Sequence, residues 1–516
     1  MQIQKRFSVP EATLLQHILD VIKTQFSVQK EPLVRKIQHF YDTFDWRLFN
    51  KSLVLQTDGT DVSLGSYVDD LVLETVPCKK LPKFVWDLPD SPLKKRLAPI
   101  VEMRALLPLF ALRKRTTPIR ILNEDAKTVV YLDFENISIK QAGKSLLPLP
   151  LTVSLRPVRG YETEAARVAD LLEKTGLQQA TSSSFAAALQ ETGFDTQRYS
   201  SKLNVLLQPD QRSDEAAKQI FRFLLDIIRK NEQGVLQDTD TEFLHDFRVA
   251  IRRTRSGLSQ IKDVFAETVT EKFKKEFATI GKASNQLRDL DVYLLDADRF
   301  RARLPEHMSD DISPLFVQLQ KMRQSALQDV RKFVQSDTYC NTLIDWQAFL
   351  NQPPANPAAA ANAERPIATV ARERINRRYQ SLLKKGRRID ANSEDAQLHA
   401  LRIDGKKLRY LLEFFASLFP AQQLGILLKQ LKKLQDNLGQ FQDLCVQEME
   451  LQQFIDSISL RQRGARKTIA AIGCLIGAID REKWQVRKQF DHIFKDFASS
   501  KNKALFAELL SNQKEE

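Results

Sequence analysis

Two short runs in this chain place the same side chains at the same spacing. Leu244-His245-Asp246-Phe247-Arg248 leads into Arg252, Arg253 and Arg255, and Leu398-His399-Ala400-Leu401-Arg402 leads into Lys406, Lys407 and Arg409. Matched positions are 154 residues apart throughout (244 to 398, 255 to 409). At about 100° per residue, helical positions 0, 3, 7 and 10 fall within roughly 80° of one another. His245, Arg248, Arg252 and Arg255 therefore form one stripe, and His399, Arg402, Lys406 and Arg409 form another. Phe247, Ile251 and Leu258, with Leu401 and Leu412 in the second run, fall on a neighbouring face suited to packing. The chemistry on offer is electrostatic binding of an anion, with arginine forking two oxygens and lysine acting as a point charge. Like charges one turn apart repel by a few tenths of a kcal/mol per pair. A merely solvated basic face needs no fixed spacing, so two copies in register favour a linear anion. Each stripe opens with a histidine, expected to touch phosphate or orient an arginine; binding would then strengthen below about pH 7.

The elements that position these stripes are helices. From about Asp214 onward the apolar residues follow a 3.6-residue period, which predicts a helical bundle. The 154-residue offset also pairs Thr239 with Ser393, expected as helix caps, with Thr239 and Glu242 forming a capping box. It pairs Asp289-Leu290 with Asp443-Leu444 downstream, so the helical half reads as a tandem duplication. The copies are expected at about 214–350 and 366–505, separated by a flexible Pro/Ala-rich insertion at 351–366. Before them, residues 1–180 carry short β-branched or aromatic runs between turn residues: Lys51–Gln56, Leu71–Val76, Ile119–Leu122, Thr128–Phe134 and Leu151–Leu155. Helical patterns at Glu11–Thr24 and Glu162–Lys174 bracket them, giving an α+β domain with an antiparallel sheet, then a linker at 181–213.

The 516 residues predict about two to four domains. A formal net charge of +13 points to an acidic partner: nucleic acid, anionic lipid or a phosphate polymer. The four cysteines, Cys78, Cys340, Cys445 and Cys474, form no C-x-x-C or Cys/His cluster, which argues against a disulfide framework or a structural zinc site and favours a cytoplasmic setting. Met1–Arg6 has no signal-peptide core, and the most apolar stretch, Thr468–Ile479, reads as a buried helix rather than a membrane span. No phosphate-binding loop, dinucleotide fingerprint, HExxH or nucleophile elbow is present.

The paired L-H-x-x-R-x-x-x-[RK]-[RK]-x-R runs resemble the CHAD domain, the conserved-histidine α-helical domain. Leu287-Arg288-Asp289-Leu290-Asp291-Val292 and Leu438-Gly439-Gln440-Phe441-Gln442-Asp443 resemble the motif that follows each such helix. Over about residues 210–505 the resemblance implies two pseudo-symmetric helical bundles whose basic surface binds inorganic polyphosphate without catalysis. The residues expected to bind it are His245, Arg248, Arg252, Arg253, Arg255, Arg288, His399, Arg402, Lys406, Lys407 and Arg409. No cofactor or metal is expected, and association with polyphosphate granules follows from the same reading.

The first half resembles a CYTH (triphosphate tunnel) domain. Tyr41-Asp42-Thr43 looks like its Y-x-D-T segment, Leu106–Arg120 like its basic strand pair, and Val130-Tyr131-Leu132-Asp133 like the strand that follows. That family's opening E-x-E-x-K is here Gln2-Ile3-Gln4-Lys5-Arg6, and its late E-x-E-x-E aligns with Thr152-Val153-Ser154-Leu155-Arg156. Leu55-Gln56 stands where an arginine strand is expected. A hard cation needs anionic oxygen ligands, and metal-assisted phosphoryl chemistry needs the cation. The domain is therefore expected to have lost triphosphatase activity, keeping some anion affinity through Arg104, Arg113, Lys114, Arg115 and Arg120. The alternatives are a metal-dependent triphosphatase or polyphosphatase in this half, and RNA binding, which aromatics among the cations would support; Phe247, Phe414 and Phe415 sit instead at core spacing.

Overall fold

Strand patterns with a period of two end by about residue 180 and helical patterns with a period of 3.6 begin at about 214; the tertiary structure divides the chain between 199 and 200. A computed structural model describes the whole chain except residues 1–4, 11–14, 69–70, 142–144, 181, 195, 197–198, 354–359, 462–463 and 512–516. Two units result, Met1–Tyr199 and Ser200–Glu516.

The first unit runs β1 (Lys5–Ser8), α1 (Leu15–Lys23), β2 (Ser27–Lys30), β3 (Val34–Asp42), β4 (Leu53–Thr57), β5 (Asp61–Ser66), β6 (Val72–Pro77), α2 (Pro92–Val101), β7 (Leu107–Leu122), β8 (Thr128–Lys140), β9 (Leu147–Pro148), β10 (Thr152–Pro157), α3 (Glu162–Lys174), β11 (Gln178–Gln179) and α4 (Ser184–Thr192). The sheet is antiparallel in the order β11-β1-β10-β8-β7-β3-β4-β5-β6, with β2 on β7 and β9 on β8. Alternation along β7 gives it two buried faces. Ile119 and Ile121 pack under α1 and α3 with Leu132 and Val168. Leu112, on the opposite face, packs with Phe40, Phe110 and Ile137 against Phe185 of α4. The segment read as a linker thus begins with a helix, capped by Ser183, whose aromatic ring completes a core. Glu11 to Leu14 of the first predicted helix lie outside the described residues for all but Leu15 onward, where α1 begins.

The second unit is helical: α5 (Ser213–Gln237), α6 (Thr241–Gln260), α7 (Glu267–Ala283), α8 (Asn285–Leu295), α9 (Ala297–Ala302), α10 (Ser313–Val334), α11 (Asp337–Asn351), α12 (Ile367–Gly386), α13 (Asp395–Phe414), α14 (Ala421–Ser457), α15 (Ala465–Phe497) and α16 (Ser500–Leu510). The duplication is visible in the helix starts. Those of α5 and α12 (213 and 367), α6 and α13 (241 and 395), and α7 and α14 (267 and 421) keep the same offset. Thr468–Ile479 lies inside α15 with Ala471, Ile472, Leu475 and Ile479 buried, and among the described residues no helix is long and apolar enough to cross a membrane.

Two expectations change here. Residues 354–359 of the insertion lie outside the described residues, but its end is packed: Ala363 is buried, and the amides of Ser213 and Asp214 donate to the carbonyls of Arg365 and Ala363. The insertion's described end, residues 360–366, therefore packs onto the start of α5. The cap of α6 is Asp240, not Thr239, accepting from the amides of Glu242 and Phe243 at 3.0 and 3.2 Å, while α13 begins at Glu394 with no side-chain cap.

Candidate functional site

Helix α6 buries Phe243, Phe247, Ile251 and Leu258, and α13 buries Leu401, Leu408 and Leu412, so each turns its other flank outward, as the apolar spacing requires. The two helices pack on each other. Gly257 permits the close approach of α6 to α5, since a Cβ there would stand 2.6 Å from the Phe221 ring. The Arg252 Nε donates to the Tyr410 hydroxyl at 2.7 Å, joining the stripe of one copy to the helix of the other.

The stripes consequently meet. Lys406 has its pKa lowered to about 8, by burial first and then by the positive charges of Arg402 and Arg252, with Asp443 acting in the opposite sense. Among the described residues it makes no hydrogen bond or ion pair. Arg248 is lowered to about 10, again chiefly by burial, with Arg252 and Arg288 adding to it against Asp289. These mutual effects place cations from both copies in one electrostatic field. Arg402 is mostly buried and lies 3.6 Å from Asp443, its Nε without a hydrogen-bond partner. Arg252 and Arg255 are exposed, and the Arg255 guanidinium lies over Gly281 of α7.

Other expected residues are already engaged. Arg253 is buried between the helices, donating to Glu413 at 2.8 Å and to the Ser201 carbonyl at 2.9 Å. Its counterpart Lys407 faces Asp404 at 3.9 Å. Neither belongs to the exposed stripe, because each lies about 100° from its neighbour there. Arg409 shares Glu413 with Arg253, at 2.6 Å. Arg248 donates to the Gly281 carbonyl and the Ser284 hydroxyl, and Arg288 reaches the Thr241 carbonyl at 3.5 Å. His399 bonds through Nδ1 to the Gln442 side chain at 2.5 Å, so it orients a glutamine rather than an arginine; His245 is half-buried. The spacing gave no sign of Tyr410 and Glu413, which act across the helix pair. Asp289 and Asp443 were visible only as repeat markers.

In the first unit the expected anion contacts do not gather. Arg104 is buried, 3.4 Å from Asp45. Arg113 and Arg115 sit on one face of β7, while Lys114 and Arg120 sit on the other, with Arg120 donating to Thr128. Asp42 is a structural carboxylate: it accepts from the amides of Thr43, Leu48 and Phe49, and burial pushes its pKa up to about 6.

The metal implied by the CYTH resemblance can be tested on the donors present. Gln2 and Gln4 lie outside the described residues. Register places Arg6, Ser154 and Asp133 side by side, with Thr152 and Glu135 one step along and Arg156 one step the other way. Arg156 already holds Asp133 at 2.7 Å, and Ser154 reaches Glu135 at 3.4 Å. Two carboxylates flanked by two guanidiniums do not suit a hard divalent cation. Among the described residues, no group of His, Cys, Asp or Glu large enough to hold a metal occurs elsewhere. The residues do not fit the metal, and no chemical step is routed through it.

The second unit is thus a duplicated helical module presenting cations where its two copies meet. Residues 219–452 match the family model of the CHAD domain, and the chain carries a CHAD domain there. Among solved structures the chain is similar to the CHAD domain from the plant Ricinus communis, at 24% identity and TM-score 0.49, covering 58% of this chain and 96% of that one. It is also similar to PptA from Streptomyces chartreusis (18%, TM-score 0.41, covering 55% and 99%). A third similarity is to HpAC1 from Hippeastrum, which has a dominant triphosphatase activity (13%, TM-score 0.26, covering 39% and 100%). Comparison with curated protein sequences finds no match.

Proposed function

We propose that this protein binds inorganic polyphosphate without catalysis, along the surface where α6 and α13 meet. The observation that carries the reading is the grouping of Arg252, Arg402 and Lys406 from both copies, where burial first and then the charges of Arg402 and Arg252 lower Lys406 to about 8. A chain of identical phosphates needs repeated cations and no base readout, and each neutralised phosphate releases counterion. Phe247, Phe414 and Phe415 are buried and Tyr410 is held by Arg252, which disfavours base stacking and supports polyphosphate over RNA. Association with polyphosphate granules follows from the same surface. The test is titration of the full chain with long-chain polyphosphate and with single-stranded RNA at two salt concentrations. Polyphosphate is expected to bind tighter, with affinity falling steeply as salt rises; tighter RNA binding, or no salt dependence, would overturn the reading.

A further inference from the structure

The second copy holds a cation cluster that the stripe does not use and the first copy lacks. Where the end of α6 and the turn after it meet α12 and α13, a recess of about 280 Å³ is lined by Ser259, Lys262, Arg374, Arg377, Arg378 and Ser381, and no carboxylate lines it. Arg374, Arg377, Arg378 and Ser381 share one face of α12 at helical spacing. The cluster is held in place. Arg378 donates to the Gln260 side chain at 2.6 Å and lies 3.3 Å from Asp404. Arg374 lies 3.2 Å from Asp263, and its Nε is buried without a hydrogen-bond partner. The turn carrying Lys262 is pinned by Asn362, whose side chain donates to the Lys262 carbonyl and whose amide donates to that of Asp263.

The first copy shows that this cluster is no by-product of duplication. At the 154-residue offset, Ile220, Phe223, Leu224 and Ile227 stand for Arg374, Arg377, Arg378 and Ser381 (220 to 374, 227 to 381), and Glu413 stands for Ser259. Ile220, Leu224 and Ile227 are buried. The chain leading into α5 closes that place: Gln219 donates to the Leu206 carbonyl, the Leu207 amide donates to Ser417, and Arg253 to the Ser201 carbonyl. One copy therefore has an apolar, covered surface with an acid beside it. At the other place, three arginines of α12 and Lys262 of the first copy face an open space, with the first copy's Ser259 where the acid would be.

Asp263 and Asp404 offset Arg374 and Arg378, while Lys262 and Arg377 face no carboxylate partner among the described residues, so the group keeps an excess of positive charge that an anion would offset. Arginine forks can each hold two oxygens, a lysine adds charge, and the serine hydroxyls can donate. The volume lies below the roughly 300–1,000 Å³ of sites for drug-sized ligands, which suits a compact anion. We infer that this recess is a second anion site, separate from the stripe, taking a compact phosphate-class anion: orthophosphate or the phosphoryl end of pyrophosphate. It goes beyond the polyphosphate reading and does not depend on it.

The experiment is calorimetric titration of the full chain with orthophosphate, pyrophosphate and long-chain polyphosphate. Two double variants are compared with the parent, Lys262→Ala/Arg377→Ala and Arg252→Ala/Lys406→Ala, with unchanged circular dichroism as the folding control. Lys262 and Arg377 are exposed, and their side chains make no hydrogen bond or ion pair among the described residues, so their removal leaves the fold intact. The recess variant should weaken the tighter of the two small anions about tenfold or more, while the stripe variant leaves it within about twofold. Which small anion binds tighter distinguishes free phosphate from a phosphoryl end. Loss of small-anion binding in the stripe variant, retention in the recess variant, or no binding up to about 10 mM overturns the inference. Failure of long-chain polyphosphate to bind bears on the stripe alone.

Discussion

The two copies of the helical repeat keep the same helix starts yet surround their shared cations differently. In the first, Arg248 is tied to the Gly281 carbonyl and Ser284, and the chain breaks there between α7 and α8. In the second, Gln435 and Leu438 occupy those places, α14 runs unbroken through them, and Arg402 keeps only a 3.6 Å approach to Asp443. The first copy also buries Arg323 against Asp291 and Asp238, at 2.6 Å each. At the 154-residue offset the second has Cys445 and Asn392 in place of Asp291 and Asp238. Duplication has separated two tasks. The first copy ties Arg248 to the end of α7 and Arg323 to two carboxylates, whereas the second centres its buried ion pairs on Asp404 and leaves Lys406 without a hydrogen bond or ion pair among the described residues.

That contrast can be broken most sharply at Arg323. Arg323→Ala leaves Asp291 buried without its partner and should cost about 3–5 kcal/mol in urea denaturation. A loss under about 1 kcal/mol would mean that the first copy is not fastened this way. The next largest effect concerns the surface the copies share. Arg252→Ala with Lys406→Ala should weaken long-chain polyphosphate binding about 100-fold at physiological salt, each charge-assisted contact contributing roughly 1.5–3 kcal/mol. Unchanged affinity would remove the shared surface altogether.

A smaller effect separates lysine from arginine within it. Lys406 is charged in the free protein below about pH 8. A bound polyanion favours the charged form and raises its pKa, so binding takes up protons near pH 8. Affinity should hold steady below about pH 8 and fall as pH rises through it, and Lys406→Arg should flatten the profile. A step near pH 6.5 that survives Lys406→Arg would assign the dependence to the histidines instead. The smallest difference is in the caps: Asp240→Ala should cost about 1 kcal/mol in thermal unfolding and Glu394→Ala less than about 0.5 kcal/mol. Equal losses would contradict the asymmetry.

Much of this was legible without coordinates, but unevenly. Glu162–Lys174 was read with the bounds of α3, because its apolar spacing and terminal charges agree. The residue pattern alone marked only Ile119–Leu122 of β7, and the CYTH resemblance read Leu106–Arg120 as a strand pair, whereas Leu107–Leu122 is one strand. Its middle, Arg113-Lys114-Arg115, looks like a solvated run and is extended because β3 and β8 pair on either side. Helix α4 was passed over for a similar reason: nine residues carry little periodicity, and Phe185 has meaning only beside Phe40 and Phe110.

Sequence alone determined the duplication and the helical phase of both stripes. Each is a property of spacing along the chain, and backbone geometry translates spacing directly into faces. Only tertiary structure decided which cations stay available. Arg253 and Arg409 are held by Glu413, Arg248 by Ser284, while Lys406 is left with other cations as neighbours. Glu413 lies in the other copy from Arg253, and Ser284 lies beyond α7 from Arg248, whereas the Arg409–Glu413 pair is local to α13. Charge neutralisation depends on distance in space, which no local pattern encodes.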